Sequence, residues 1–150
     1  MKRLIALVLL AVILAGSACA EEKTVWVLCQ PDSYVTIRSS PKKTARESGQ
    51  AYPGDEFRTD GKKRGGYIHV FAPNEDGEGW ISKKYVTESE PTAYPDGITM
   101  TVNVKQVNCR MCVGGRRRGW LKRGSEVTVY LISDDWAVTN YGYIQSRYLE

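Results

Sequence analysis

The chain holds a single histidine, two phenylalanines and four cysteines in 150 residues. One histidine, His69, excludes the multi-histidine centres that many zinc and iron enzymes use. No stretch after residue 20 is apolar enough to cross a bilayer as a helix, which takes about 20 such residues. Helical patterning is scarce too: no window of eleven or more residues carries a clean apolar period of 3.6. The length excludes a (β/α)₈ barrel, which runs to about 250 residues.

What is present begins with a leader. Met1 to Ala20 carry Lys2 and Arg3 as their only charges, then an apolar stretch from Leu4 to Gly16, then small residues ending Ala18-Cys19-Ala20. These are the three parts of a secretory signal peptide, with cleavage expected after Ala20. Cys19 raises a competing reading, a lipoprotein cut before a lipidated cysteine. Gly16 stands where that pattern wants a Leu-like residue, so simple export to the medium or the cell envelope is favoured. Without Lys2 and Arg3 the formal charge falls from +4 to +2.

Export leaves three cysteines, Cys29, Cys109 and Cys112, and an odd number is not a disulfide framework. Cys109-Arg110-Met111-Cys112 has CxxC spacing, but it lies in a segment read as extended. A redox pair of the thioredoxin type wants a helix N-terminus there. The cysteines are expected to be small buried thiols, with a disulfide or a metal site as lesser alternatives, and no metal or cofactor is assigned.

Short β-branched and aromatic runs dominate the rest: Val25–Leu28, Tyr34–Ile37, Tyr67–Val70, Val127–Tyr130 and Trp136–Thr139. Gly, Pro, Asn and Asp punctuate them, which predicts an all-β fold of short strands and tight turns. Four blocks recur in the same order. Val35 to Ser40 matches Val107 to Cys112, with Arg38 and Arg110 in step. Pro53-Gly54-Asp55-Glu56-Phe57 matches Arg123-Gly124-Ser125-Glu126-Val127, and Tyr67–Val70 matches Trp136–Thr139. Gly79 to Val86 matches Gly142 to Leu149 without a gap. Gly54 and Gly124 are expected in turns that need positive φ.

This order of motifs resembles the bacterial SH3-like (SH3b) domain of secreted and cell-wall proteins. The first copy carries Ile37-Arg38-Ser39-Ser40-Pro41, Pro53-Gly54-Asp55, Tyr67-Ile68-His69-Val70 and Gly79-Trp80-Ile81 through Tyr85-Val86. The second lacks Ser-x-Pro after Arg110 and has Tyr143 where tryptophan is usual. The resemblance implies two small SH3-like β-barrels in tandem, over 24–88 and 98–150, the second more divergent. It also implies ligand peptides lying in a shallow groove lined by aromatics. The positions to inspect are Tyr34, Tyr67, Trp80 and Tyr85 in the first copy and Trp136, Tyr141, Tyr143 and Tyr148 in the second. Strand alternation turns some of these inward.

Residues 89–97, with Pro91 and Pro95, read as a linker. Residues 21–90 hold 11 basic and 12 acidic side chains, whereas 91–150 hold 8 and 5. Attraction toward an anionic surface is therefore expected from the second unit. Arg116, Arg117 and Arg118, with Lys122 and Arg123, are the densest cations and the candidate contact for an anionic polymer. His69 lies in a predicted strand with no nucleophile context, so no catalytic residue is assigned.

The sequence thus points to a non-enzymatic exported binding module. Its expected partners are cell-wall peptidoglycan peptides or an anionic wall polymer. The alternative is an adaptor or inhibitor acting on another exported protein. Nucleic acid conflicts with export, and the mature chain has no transmembrane segment.

Overall fold

A computed structural model describes residues 22–72 and 77–150. The leader with Cys19 lies outside the described residues, as do residues 73–76. Among the described residues no helix is long and apolar enough to cross a membrane.

The fold is all-β, in two antiparallel sheets. The first contains β1 (Lys23–Val27), β2 (Val35–Arg38), β3 (Glu47–Ala51), β4 (Glu56–Thr59), β5 (Lys63–Arg64), β6 (Tyr67–Phe71), β7 (Glu78–Ser82) and β8 (Val86–Thr87). Its order is β3-β2-β7-β6-β4-β1-β8, with β5 paired to β6. The second contains β9 (Thr92–Thr101), β10 (Gln106–Arg110), β11 (Arg117–Lys122), β12 (Glu126–Ile132), β13 (Trp136–Thr139) and β14 (Gly142–Gln145). They run β11-β10-β14-β13-β12-β9. A single 3₁₀ turn closes each set of repeat motifs, at Lys83–Tyr85 and Ser146–Tyr148.

Alternation puts one row of each strand inward. Val25, Val27, Val35, Ala51, Phe57, Ile68, Val70 and Ile81 meet in the first core, and Val102, Val107, Cys109, Val127, Val129, Ala137 and Ile144 in the second. Side chains from strands right across a sheet can converge on one cluster only if the sheet curls. Closure into barrels is not seen: no ladder joins β3 to β8 or β11 to β9 among the described residues.

The matched blocks carry matched bonds. The Gly54 NH donates to the Val27 carbonyl and the Gly124 NH to the Val102 carbonyl, both at 2.9 Å. The two glycines have φ of 84° and 78°, where a Cβ would be strained. Arg38 reaches over its bulge to the Ala45 carbonyl at 2.9 Å, and Arg110 to the Gly115 carbonyl at 2.7 Å. The recurring arginine therefore clamps the loop that follows it.

The stretch expected as a linker is largely strand, since β9 pairs with β12 from Thr92. Pro95 is tolerated because β9 is an edge strand and because the register shifts between Val129 and Leu131, leaving 94–97 looped out of the ladder.

Candidate functional site

The two sheets meet through a small apolar junction. Leu28 of the first packs on Leu131, Val138 and Tyr143 of the second, with Tyr85, Val113 and Trp136 around them. Three hydrogen bonds cross it. The Tyr143 hydroxyl donates to the Leu28 carbonyl at 2.8 Å, the Gln30 amide to the Thr139 carbonyl at 3.1 Å, and the Val113 NH to the Lys84 carbonyl at 3.0 Å. Burial, with the nearby Cys29, Tyr85 and Cys112, pushes the Tyr143 phenol far above its ordinary range. It stays a neutral donor at any physiological pH.

Along this junction runs a groove of about 580 Å³. Tyr34, Tyr67, Tyr85 and Tyr143 line it, together with five cations: Arg38, Lys43 and Lys84 from the first unit, Arg110 and Arg118 from the second. Among the described residues no aspartate or glutamate lines it. Among the described residues none of the five cations is in an ion pair. Two are held rigid, because Arg38 and Arg110 each spend one guanidinium nitrogen on a loop carbonyl and keep the others free. Lys43, Lys84 and Arg118 are exposed and adaptable. Such a site favours an extended anion with some apolar or ring surface.

The sequence-selected aromatics divide by position. Tyr34, 48% exposed, Tyr67 and Tyr85 present surface to the groove. Tyr143, proposed as a ligand residue, is buried, and its hydroxyl is committed to Leu28. Trp136 packs into the junction. Trp80 lies on the outer face of the first sheet against His69, ring centroids 5.0 Å apart. Tyr141 is exposed, and Tyr148 lies under the Arg147 guanidinium at 4.7 Å.

Of the cations singled out, Arg116, Arg117 and Lys122 are exposed on the β10–β11 hairpin and Arg123 on the turn after it, all outside the groove, and Arg118 alone enters it. The second unit's net positive charge is not what fills the groove, since three of its five cations belong to the first unit. Arg38 and Arg110 were visible as repeat residues. Lys43 and Lys84 carry no local signal, because their common destination is set by the junction.

His69 is buried on the strand face. Its Nδ1 lies 3.1 Å from Asp60 and its Nε2 3.3 Å from Glu78. Desolvation pushes the Asp60 carboxyl up, but bonds from the Lys62 NH and ammonium and from His69 outweigh it and bring the value from 3.8 to about 2. Cys29, Cys109 and Cys112 are free and buried. Burial, with Asp55 nearby, raises the Cys29 thiol to about 11, and burial raises Cys109 against the opposing pull of Arg118. Those two are protonated and unreactive at neutral pH. Among the described residues no cluster of three His, Cys, Asp or Glu could hold a metal ion.

No family model matches the chain, and no curated protein matches it. Among solved structures it is similar to NlpC1 from Trichomonas vaginalis, at 22% identity and a TM-score of 0.40, covering 91% of this chain and 48% of that one. It is also similar to NlpC2 from the same organism, at 20% identity and a TM-score of 0.39, covering 87% and 48%. The chain thus spans about half the length of either. Neither likeness is close enough to carry a statement about activity.

Proposed function

We propose that this chain is an exported, non-enzymatic binding module of tandem SH3-like units. In this reading the junction groove takes an extended anionic ligand of the cell wall, either a carboxylate-bearing peptidoglycan peptide or an anionic wall polymer. One observation carries it: five cations and three accessible tyrosines line a single groove in which, among the described residues, there is no carboxylate and no ion pair to those cations. The tyrosines supply flat contact area at low entropic cost, and the guanidinium forks supply orientation. Each exposed ion pair contributes about 1 kcal/mol or less, so affinity comes from several acting together and falls with salt. The buried thiols and the carboxylate-flanked His69 fit structural roles.

The test is retention on purified sacculi across a salt series. Lys43 and Lys84 are the residues to change, because unlike Arg38 and Arg110 they hold no loop. The double variant Lys43→Ser, Lys84→Ser should be retained about tenfold less at low salt, a loss near 1.4 kcal/mol. It should converge with the parent protein at high salt. Equal retention at every salt concentration would remove the groove from the mechanism.

A further inference from the structure

A second surface lies on the outer face of the second sheet, one row of side chains beyond the groove's Arg110 and Tyr143. In β11 Leu121 packs on the core, so Arg118, Trp120 and Lys122 point the other way. Across the ladder Trp120 is opposite Asn108, and Lys122 is opposite Gln106. On the other side of β10, Arg110 pairs with Tyr143. Two residues further along, that register brings Gln145 beside Asn108. Gln145 in turn pairs with Trp136 of β13.

Four adjacent strands therefore present one row: Trp120, Asn108, Gln145, Trp136. At the usual strand spacing its ends are roughly 14 Å apart. Trp120 is 56% exposed, the most exposed large apolar side chain of the described residues. Beside the row is a cavity of about 220 Å³ lined by Gln106, Val107, Asn108, Arg110, Gln145 and Tyr148. Among the described residues the amides of Gln106 and Asn108 make no hydrogen bond to protein. Gln145 uses only its oxygen, accepting from Arg147 at 3.0 Å. The exposed indole of Trp120 thus stands at one end of a strip of uncommitted amide donors and acceptors, whose other end is Trp136, half-buried against the junction.

We propose that this row is a glycan platform, taking an oligosaccharide of hydroxyl- and acetamido-bearing sugars. The Trp120 indole meets the C–H face of a sugar ring, and the amides, which donate and accept, meet hydroxyl and acetamido groups. A lipid surface would make use of Trp120 but not of the amide strip. A uniform polyanion would be repelled at the Trp136 end, which adjoins Asp134 and Asp135. Arg110 lines both the groove and this cavity, but Lys43 and Lys84 line only the groove, so variants at those lysines let the two readings fail separately.

The probe is an uncharged tetrasaccharide of β-1,4-linked N-acetylglucosamine, titrated by calorimetry and tryptophan fluorescence. Saturable binding is expected. Trp120→Ala should weaken it about tenfold, Trp120→Phe less, and Asn108→Ala by a smaller factor. The groove variant Lys43→Ser, Lys84→Ser should bind the tetrasaccharide as the parent does. Trp120 is exposed, so an unchanged unfolding midpoint will show that the alanine variant is folded. Absence of saturation up to about 10 mM tetrasaccharide, far weaker than a useful site, would overturn the proposal. So would undiminished binding by folded Trp120→Ala, or Trp120-dependent binding to phosphatidylglycerol vesicles in place of the sugar.

Discussion

At one position on the outer face of each sheet the two units part company. The first pairs His69 with Trp80, and the second pairs Val138 with Tyr143, in the same register. Val138 and Tyr143 are covered by Leu28 of the first unit. His69 and Trp80 are not covered this way; Asp60 and Glu78 take up both imidazole nitrogens instead. The residue equivalent to Leu28 in the second unit is Asn103. Each follows the residue whose carbonyl accepts from the turn glycine, Gly54 or Gly124, and each donates its own NH to the backbone carbonyl of the equivalent tyrosine, Tyr85 or Tyr148. One framework therefore serves as apolar junction or polar surface according to a handful of side chains.

The comparison is broken most severely by giving the first unit the second unit's residue. Leu28→Asn puts an amide into a fully buried apolar site. It should cost about 3 kcal/mol, the sum of lost burial and an unpaired polar group. Urea unfolding followed by fluorescence checks this, and a single unchanged transition would mean that the junction does not hold the units together. Tyr143→Phe is gentler. It strips the Leu28 carbonyl of its donor and should cost about 1 to 2 kcal/mol in the same assay.

The smallest effect tests the polar counterpart. The Asp60 carboxyl is held at about 2 in the folded chain, below its ordinary 3.8. Its contribution is therefore complete above about pH 4 and is lost as pH falls toward 2. Asp60→Asn should flatten that acid limb of the stability curve and leave the neutral plateau only slightly lower. An unaltered acid limb would show that the His69 cluster contributes nothing through Asp60.

Strands, turn glycines and the duplicated order were legible in sequence because their signals are local, an alternating run or a glycine at a fixed step. Val27, Gly54 and Asp55 declare themselves within their own hairpins. The junction could not be read this way, since Tyr143 and Leu28 stand 115 residues apart and neither is unusual in its own strand. The groove inherits that difficulty: Lys43 and Lys84 of the first unit meet Arg110 and Arg118 of the second only when the sheets dock. Pro91, Pro95 and Gly97 misled for a different reason, because an edge strand with a bulge tolerates residues that would break a central one.

The docking joins two different faces of one repeated framework, not one face to itself. Such a contact is heterologous, and repeated with further units it would have no natural end, the geometry from which filaments grow. Asn103 stands where another Leu28 would receive a neighbour, and His69 with its two carboxylates stands where another Val138 would be offered. The polar residues that make the two units unequal are therefore also what leave the pair without an apolar end for a third to join.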